Sequence, residues 1–400
     1  MKASSIFRPG KPIDNPHHLV GRTPQLKRIG ELLGEGGRTV VITGTRGIGK
    51  TSLARVSATN FGTHVDTQCN GATTFHDWSV DLLTKLGVPT AIVEKSLEEN
   101  LNAGFGATLI ASLNLGGSKK TAHKEQGIAQ KTITPERFLN IARQAKLDAT
   151  ATVDEFDRIP RAKEGEIGLF GDLLKVLGDS SETHKLRLIF IGVSHGASRL
   201  FNGHPSIKRN VTPIHLNRLS QQAIRSFFKA VHLESGILFE ADVVERFAKD
   251  FMGFPHFVHA VGDLCVRKSK PSASIDMRDY EKAIDEAVDE MLGIDSSLDL
   301  ITSKKSPETD AVLVDILESA DVRVSEQELR HKLSLARYNP EKVMVAIEQL
   351  VERHVVRRGY GGTLVLADPE ISPFLRANFR RRRHVNADVN LPLFDSTDDV

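Results

Sequence analysis

One segment of the chain has the residue types and spacing that bind phosphate groups: Gly44-Thr45-Arg46-Gly47-Ile48-Gly49-Lys50-Thr51. It satisfies the pattern Gly-x-x-x-x-Gly-Lys-Ser/Thr in full, in which Lys50 reaches the β- and γ-phosphates and the Thr51 hydroxyl is placed for Mg²⁺. Glycines allow backbone N–H groups to turn inward around an anion. The apolar run Thr39–Thr43 before the loop and the helical residues after it supply the context that a chance glycine-rich turn would lack. The segment therefore predicts a site for a nucleoside triphosphate, ATP with Mg²⁺.

Two carboxylates follow a second strand-like run. Residues Ala149–Val153 lead directly into Asp154-Glu155-Phe156-Asp157. A carboxylate at the end of a strand beside a phosphate loop can hold Mg²⁺, and a neighbouring carboxylate can orient an attacking water. We therefore assign Asp154, together with Thr51, to the metal and Glu155 to the general base. A solvated acidic turn is the alternative interpretation of these residues.

The surrounding pattern predicts the elements that position these residues. A helix is expected after Thr23, and further strands are expected at Thr63–Cys69 and Leu186–Val193, with helical patterns between the strands. Strands that alternate with helices favour a parallel sheet with crossover helices. The predicted fold class is therefore an α/β P-loop NTPase.

From Ser220 onward the sequence predicts helices, and the last three are followed by a hairpin, which is the order of a winged-helix module. Capping signals at Ser220, Ser306, Ser325 and Asn339 mark helix starts. The predicted organisation, by residue number, is an N-terminal arm at 1–18, an α/β base at 19–217 with an insert at 97–135, a helical lid at 218–296, a linker at 297–306, a winged helix at 307–375, and a basic-then-acidic tail at 376–400.

The composition limits the class of protein. The net charge is +2, so any contact with nucleic acid must come from a local basic patch. Two cysteines far apart in sequence, Cys69 and Cys265, argue against a disulfide scaffold and a cysteine zinc site. The sequence shows neither a signal-peptide pattern nor a long apolar run. We expect a protein without a membrane segment in the reducing cytoplasm.

Five stretches resemble motifs of the AAA+ ATPases, especially of the group that includes origin-recognition ATPases and the signal-transducing STAND ATPases. They are Leu19–Arg22, Gly44–Thr51, Val153–Asp157, Ile189–Ser194 and Gly253–His256. The resemblance implies an AAA+ base with a helical lid and a C-terminal winged helix. It also implies ATP hydrolysis with Mg²⁺ and an ATP-dependent homo-oligomer.

The same resemblance implies roles for residues around the loop. The backbone of Val20, Gly21 and Arg22 would lie against adenine, and the residues from Gly44 to Ser52 would contact the nucleotide. Ser194 would read the γ-phosphate or the attacking water.

Three further residues receive roles by the resemblance. Pro255 and His256 stand where the lid helix with the second sensor begins, and many family members have arginine where this chain has His256. A Gly-x-Pro sequence at this place is similar to the STAND relatives. Arg209 stands where an arginine finger could act across a subunit interface. An ordinary packed or exposed His256 and a solvated Arg209 remain the alternatives.

The predicted recognition helix, Asn339–His354, leaves two kinds of partner open. Its exposed face is mixed and rather acidic, which duplex phosphates would disfavour. Basic residues flank it: Arg330, His331, Lys332, Arg337, Arg357, Arg358 and Arg380–Arg383. These flanks favour an ATP-dependent switch that assembles on DNA. The acidic face and the insert favour the alternative, a STAND-like signalling or antiviral-defence ATPase that controls a protein effector.

The tail contains a short apolar peptide, Asn390-Leu391-Pro392-Leu393-Phe394-Asp395, in otherwise polar and acidic sequence. Apolar residues in such a tail have nothing local to bury them. The peptide resembles the Gln-Leu-x-Leu-Phe segment with which bacterial proteins bind the replication sliding clamp. A chance match, or docking on the protein's own surface, is the alternative.

Overall fold

The computed structural model describes residues 6–35, 38–89, 91–93, 132–160, 163–179, 185–193, 205–268, 274–294, 306–319, 323–367 and 371–385. The chain divides into two compact units, Pro12–Asn217 and a second unit formed by Met1–Lys11 together with Arg218–Val400. Several predicted features lie outside the described residues: most of the insert, Ser194, most of the linker, and the peptide Asn390–Asp395.

The first unit contains a parallel five-stranded sheet with the strand order β2-β3-β4-β1-β5. A short 3-10 turn, Pro16–His18, precedes its main elements, which are α1 (Thr23–Gly34), β1 (Thr39–Thr43), α2 (Lys50–Ala58), β2 (Thr63–Gln68), α3 (Phe75–Lys85), α4 (Pro135–Gln144), β3 (Ala149–Asp154), α5 (Glu164–Asp179), β4 (Leu186–Gly192) and β5 (Val211–His215). The predicted parallel α/β fold is confirmed.

Burial explains why the central strands have their composition. All five residues of β1 are buried, and β4 is nearly as enclosed. Helices cover both faces of a parallel sheet, so its inner strands are continuous runs of apolar and β-branched residues. One side of the sheet contacts a large apolar cluster that includes Phe75, Trp78 and Phe170, whose rings meet at 5.0–5.7 Å between centroids. This packing holds the carboxyl ends of the strands in place.

Strand β5 was not among the strands that the sequence pattern indicates. Among the described residues it pairs with β1 alone and lies at the edge of the sheet, with a partly exposed pattern and Pro213 in its middle. Proline cannot donate to a ladder and is confined to edge strands or bulges. Because of the exposed residues and the proline, the sequence of β5 lacks the continuous apolar pattern of a buried strand.

The second unit contains helices and a small antiparallel sheet. Its elements are α6 (Gln221–Ser235), α7 (Ala241–Asp250), α8 (Pro255–Lys268), α9 (Met277–Ile294), α10 (Pro307–Glu318), β6 (Arg323–Ser325), α11 (Glu326–Leu335), α12 (Pro340–Glu352), β7 (Val356–Arg358), β8 (Thr363–Leu366) and α13 (Ser372–Val385). Strand β8 pairs with both β6 and β7. Among the described residues, every helix falls short of the length and apolar character that a membrane span requires.

Local hydrogen bonds define the helix starts of this unit. The side chains of Ser220, Ser306, Ser325 and Asn339 each accept a bond from a backbone N–H two or three residues ahead. Such caps satisfy donors that the first turn leaves without intrahelical partners. The capping signals in the sequence therefore coincide with the helix starts.

The start of the chain packs with residues that are far away in sequence. Phe7 is 1% exposed and contacts the rings of Phe227, Phe228 and Phe239 at centroid distances of 5.6–6.3 Å. A Cβ on Gly262, in helix α8, would lie 2.2 Å from the Phe7 ring. The close approach of this ring therefore requires glycine at position 262. Ile6 and Phe7 are thus part of the core of the second unit.

We expect Phe7→Ala to lower the free energy of unfolding by about 3–5 kcal/mol, because it leaves a cavity in an aromatic cluster. Urea denaturation followed by circular dichroism measures this change. Tyr360→Ala is the matched control, because Tyr360 is fully exposed and its removal should cost less than about 0.5 kcal/mol. Equal midpoints for both variants would contradict the packing role of Phe7.

Candidate nucleotide-binding site

The loop between β1 and α2 has a backbone that requires glycine. Gly44 has φ +155°, and a Cβ there would lie 2.9 Å from the carbonyl oxygen of Leu216 and 3.1 Å from the Ile48 side chain. Gly49 has φ +93° at the position that caps α2. Side chains rarely adopt this left-handed conformation. The loop can therefore curve around an anion directly before the amino end of α2, where the helix dipole is positive.

Lys50 lies over the loop that precedes it. Its Nζ donates to the carbonyl oxygens of Gly44 at 3.0 Å and Thr45 at 2.9 Å. The ammonium is therefore held at the mouth of the loop and is half-buried. A phosphate bound by the loop would meet this positive charge.

Thr51 and Asp154 join the loop to the end of β3. The Thr51 hydroxyl donates to Asp154 Oδ2 at 2.6 Å, and the backbone N–H of Glu155 donates to Asp154 Oδ1 at 2.7 Å. Burial raises the pKa of Asp154, while these hydrogen bonds and the charge of Lys50 oppose that effect. A hydroxyl and a carboxylate oxygen are ligands that Mg²⁺ prefers. The two predicted metal ligands thus lie together and fit that ion.

Glu155 is held by two donors. Its Oε2 accepts from Gln68 Nε2 at 2.7 Å and lies 3.1 Å from an Arg158 guanidinium nitrogen. The residue has φ +53°, an uncommon conformation for a side chain other than glycine, asparagine or aspartate. To accept a proton from water, Glu155 must use its other oxygen or turn away from these donors.

The contact between Gln68 and Glu155 and the contact between Val193 and Asp157 could not be predicted from local sequence. Gln68 is in register with Asp154 on the neighbouring strand, so it stands beside the carboxylate pair at the same edge of the sheet. Asp157 accepts a bond from the backbone N–H of Val193 at 3.1 Å, which ties the turn after β3 to the end of β4. Aligning the carboxyl ends of the predicted strands is the signal that could have found Gln68.

Arg22 reaches the loop from the start of α1. Its side chain is 4% exposed, and its guanidinium donates to the Ile48 carbonyl oxygen at 3.1 Å. Burial lowers the pKa of Arg22. Val20 is half-buried and Gly21 is exposed with φ +70°. The segment Leu19–Arg22 is therefore linked to the loop by the arginine side chain.

The other predicted residues lie elsewhere. The Ser52 hydroxyl is buried and accepts from the backbone N–H of Ile13 at 3.0 Å. Arg209 is exposed. The carbonyl oxygen of the next residue, Asn210, accepts from the backbone N–H of Thr39 at the amino end of β1, which is the opposite end of that strand from the loop. Pro255 and His256 begin α8 in the second unit, where His256 is exposed and contacts the Phe257 ring at 5.3 Å.

A polar cluster holds α2 against β2. Arg55 on the helix pairs with Asp66 on the strand at 2.8 Å, and His64 and Thr152 also contact the Asp66 carboxylate. Burial works against ionisation of this carboxyl. Hydrogen bonds from His64 and Thr152, with the charges of His64 and Arg55, outweigh burial and lower the pKa of Asp66 to about 2. The ionised carboxylate therefore helps to fix the helix that begins at Lys50.

Comparison with known proteins agrees with this geometry. Residues 18–191 match the sequence family described as the AAA ATPase domain. The fold is similar to that of the Walker-type ATPase of Pyrococcus abyssi, with a TM-score of 0.50, 15% identity, and coverage of 93% of this chain and 99% of that chain. It is also similar to the ORC2 protein of Aeropyrum pernix in its ADPNP–ADP complexes, with a TM-score of 0.51, 14% identity, and coverage of 94% and 98%. No curated protein matches the chain in sequence.

The predicted class is confirmed for residues 18–191, which match the AAA ATPase domain. At these identities the similarity to solved structures shows a shared fold. Nucleotide binding follows from the domain.

Asp66→Asn should lower the melting temperature at pH 6–7, lower it less at pH 3, and have little effect near pH 2. The folded pKa of Asp66, about 2, is below the usual value near 3.9, so ionisation stabilises the fold above that usual value. This stabilisation is lost as the pH falls from about 4 toward 2. Thermal unfolding of both proteins from pH 2 to 7 measures the difference. A difference that stays constant over this range would contradict the ion pair.

Proposed function

We propose that this AAA+ ATPase is a Mg-ATP-dependent molecular switch that assembles with DNA or with DNA-processing partners. The observation that supports the site most directly is the 2.6 Å hydrogen bond from Thr51 to Asp154, within a matched AAA ATPase domain. It brings the loop's hydroxyl and the strand's carboxylate to one point. That arrangement is what binding of a metal-chelated triphosphate requires.

Each residue has one task in this proposal. Backbone N–H groups of the loop and Lys50 bind the phosphates, while Thr51 and Asp154 would hold Mg²⁺. The ion would neutralise charge that develops on the phosphate oxygens. Glu155 then orients a water in line with the γ-phosphate and accepts its proton. Ser194 and, from a neighbouring copy, Arg209 would complete the site.

The output of the switch is proposed to lie in the C-terminal part of the second unit. We interpret the order α10, β6, α11, α12, β7, β8 as a winged helix, with α12 as the proposed recognition helix and the β7–β8 hairpin as the proposed wing. Arg358 on the hairpin is bound by Glu348 at 2.6 Å and Glu326 at 3.1 Å. We infer that this arginine fixes the hairpin against the helices instead of contacting a ligand.

Other arginines of this region are available for phosphate contact. Arg337, Arg353 and Arg357 are exposed, and none forms an ion pair with another residue in the part of the chain that the structure describes. Lys332, by contrast, is paired with Asp315. The residues Arg380–Arg383 belong to the end of α13. DNA binding by this unit would therefore depend on a few arginines around α12.

The alternative function is a STAND-like signalling or antiviral-defence ATPase that controls a protein effector. It is favoured by two exposed apolar residues on α12, Met344 (45% exposed) and Val345 (55% exposed). Apolar side chains near the centre of a surface favour protein contacts over phosphate contacts. A sliding clamp bound through Asn390–Asp395 would be a further protein partner of the first function.

Lys50→Ala should abolish nucleotide binding, because it removes the charge that meets the phosphates. Glu155→Gln should keep nucleotide binding and lower turnover by about 10²–10⁴-fold, because the amide cannot accept a proton. Calorimetric titration with ADP and a phosphate-release assay measure the two effects. Normal turnover by the Glu155→Gln protein would show that another group is the base.

The triple variant Arg337→Ala, Arg353→Ala and Arg357→Ala tests the DNA proposal. We expect the wild type to bind duplex DNA more tightly with ATP, with a dependence on salt. Each lost phosphate contact should reduce the slope of log K against log salt by about 1. Gel shifts and fluorescence anisotropy from 50 to 200 mM salt measure this, with Arg28→Ala on α1 as control. Absence of any shift at low salt would reject DNA binding and favour the alternative, which nucleotide-dependent co-purification of an effector then tests.

A further inference from the structure

Arg22 is a buried cation that has no carboxylate partner among the residues that the structure describes. Its side chain is 4% exposed, and the Ile48 carbonyl oxygen is its side-chain partner within the part of the chain that the structure describes. Among those residues, no carboxylate lies within 4.0 Å of the guanidinium. Most buried arginines are paired, because an isolated charge in a low-dielectric interior is costly. A negatively charged ligand would supply the counter-charge that the described protein groups lack.

The hydrogen bond from Arg22 also controls the orientation of one peptide plane. The carbonyl of Ile48 and the N–H of Gly49 belong to the same trans peptide, so they point in opposite directions. When Arg22 holds the carbonyl on its own side, the Gly49 N–H must face the other side. In a loop of this pattern, inward N–H groups are the donors that bind the phosphates.

We propose that Arg22 positions the phosphate loop for nucleotide and that the phosphates of the bound nucleotide compensate its buried charge. The guanidinium holds the Ile48–Gly49 peptide with its N–H toward the ligand and adds a positive charge beneath the loop. This inference rests on the proposed nucleotide site at Gly44–Thr51. It assigns the arginine side chain a role toward the phosphates, in addition to the expected backbone contact with adenine.

The side chain and the backbone of Arg22 have separate roles, which makes a test feasible. The carbonyl of Arg22 accepts from the N–H of Leu26 in the first turn of α1, and its side chain makes no cap bond. A substitution therefore removes the guanidinium and keeps the helix start. Without nucleotide, loss of a buried unpaired charge should not destabilise the fold. If Arg22 served only to stabilise the fold, its substitution would lower the melting temperature without nucleotide.

The experiment compares wild type, Arg22→Met and Arg22→Lys in the full chain, with Arg28→Met as control. Arg28 lies on the same helix, is exposed, and pairs with Glu31 at 3.4 Å. The measurements are the melting temperature without nucleotide, the Kd for fluorescent ADP, and the KM and kcat for ATP.

We expect Arg22→Met to keep or raise the melting temperature without nucleotide and to raise the Kd and the KM by about tenfold or more. Its kcat should change far less, because Asp154 and Glu155 remain. Arg22→Lys should recover part of the affinity, and Arg28→Met should match wild type. A lowered melting temperature with unchanged Kd, or failure of Arg22→Met to fold, would overturn the inference. Failure of the wild type itself to bind ADP would instead reject the proposed site.

Discussion

The Thr51 hydroxyl and the Asp154 carboxylate are joined by a 2.6 Å hydrogen bond, and the candidate site depends on this contact. It is only feasible because β1 and β3 run parallel in one sheet and end at the same edge, with β4 between them. Apolar burial on both faces of the sheet determines that register. The site is thus a consequence of strand packing as much as of the loop.

Charged side chains surround this contact, with cations near the loop and carboxylates at the end of β3. Lys50 lies over the mouth of the loop, and Arg22 lies behind it on the Ile48 carbonyl. The carboxylates of Asp154 and Glu155 lie at the end of β3, where Gln68 and Arg158 hold Glu155. In the proposed function, the positive groups near the loop bind the phosphates, and the carboxylates at the end of β3 hold the metal and activate water. In the second unit, Arg358 links the hairpin to two helices in a comparable way.

The features that could be predicted from the sequence are those set by local chemistry. The glycine conformations, the buried run of β1 and the caps at Ser220 and Ser325 depend on neighbours within a few residues. Apart from the Thr51–Asp154 pair, which the motifs indicate, contacts between distant segments were missed, because one sequence does not reveal which segments pair. Gln68 meets Glu155 only through the pairing of β2 with β3, and Phe7 packs against residues more than 200 positions away. The edge strand β5 was missed because Pro213 and exposed residues interrupt its apolar pattern.

The central claim, that the loop and the end of β3 form one metal-nucleotide site, is tested by the effect of Mg²⁺ on nucleotide affinity. The measurement is calorimetric titration of the wild type and Asp154→Asn with a non-hydrolysable ATP analogue, with and without Mg²⁺. We predict that Mg²⁺ tightens binding by the wild type, and that Asp154→Asn keeps metal-free binding and loses this gain. An equal gain from Mg²⁺ in both proteins would contradict the account.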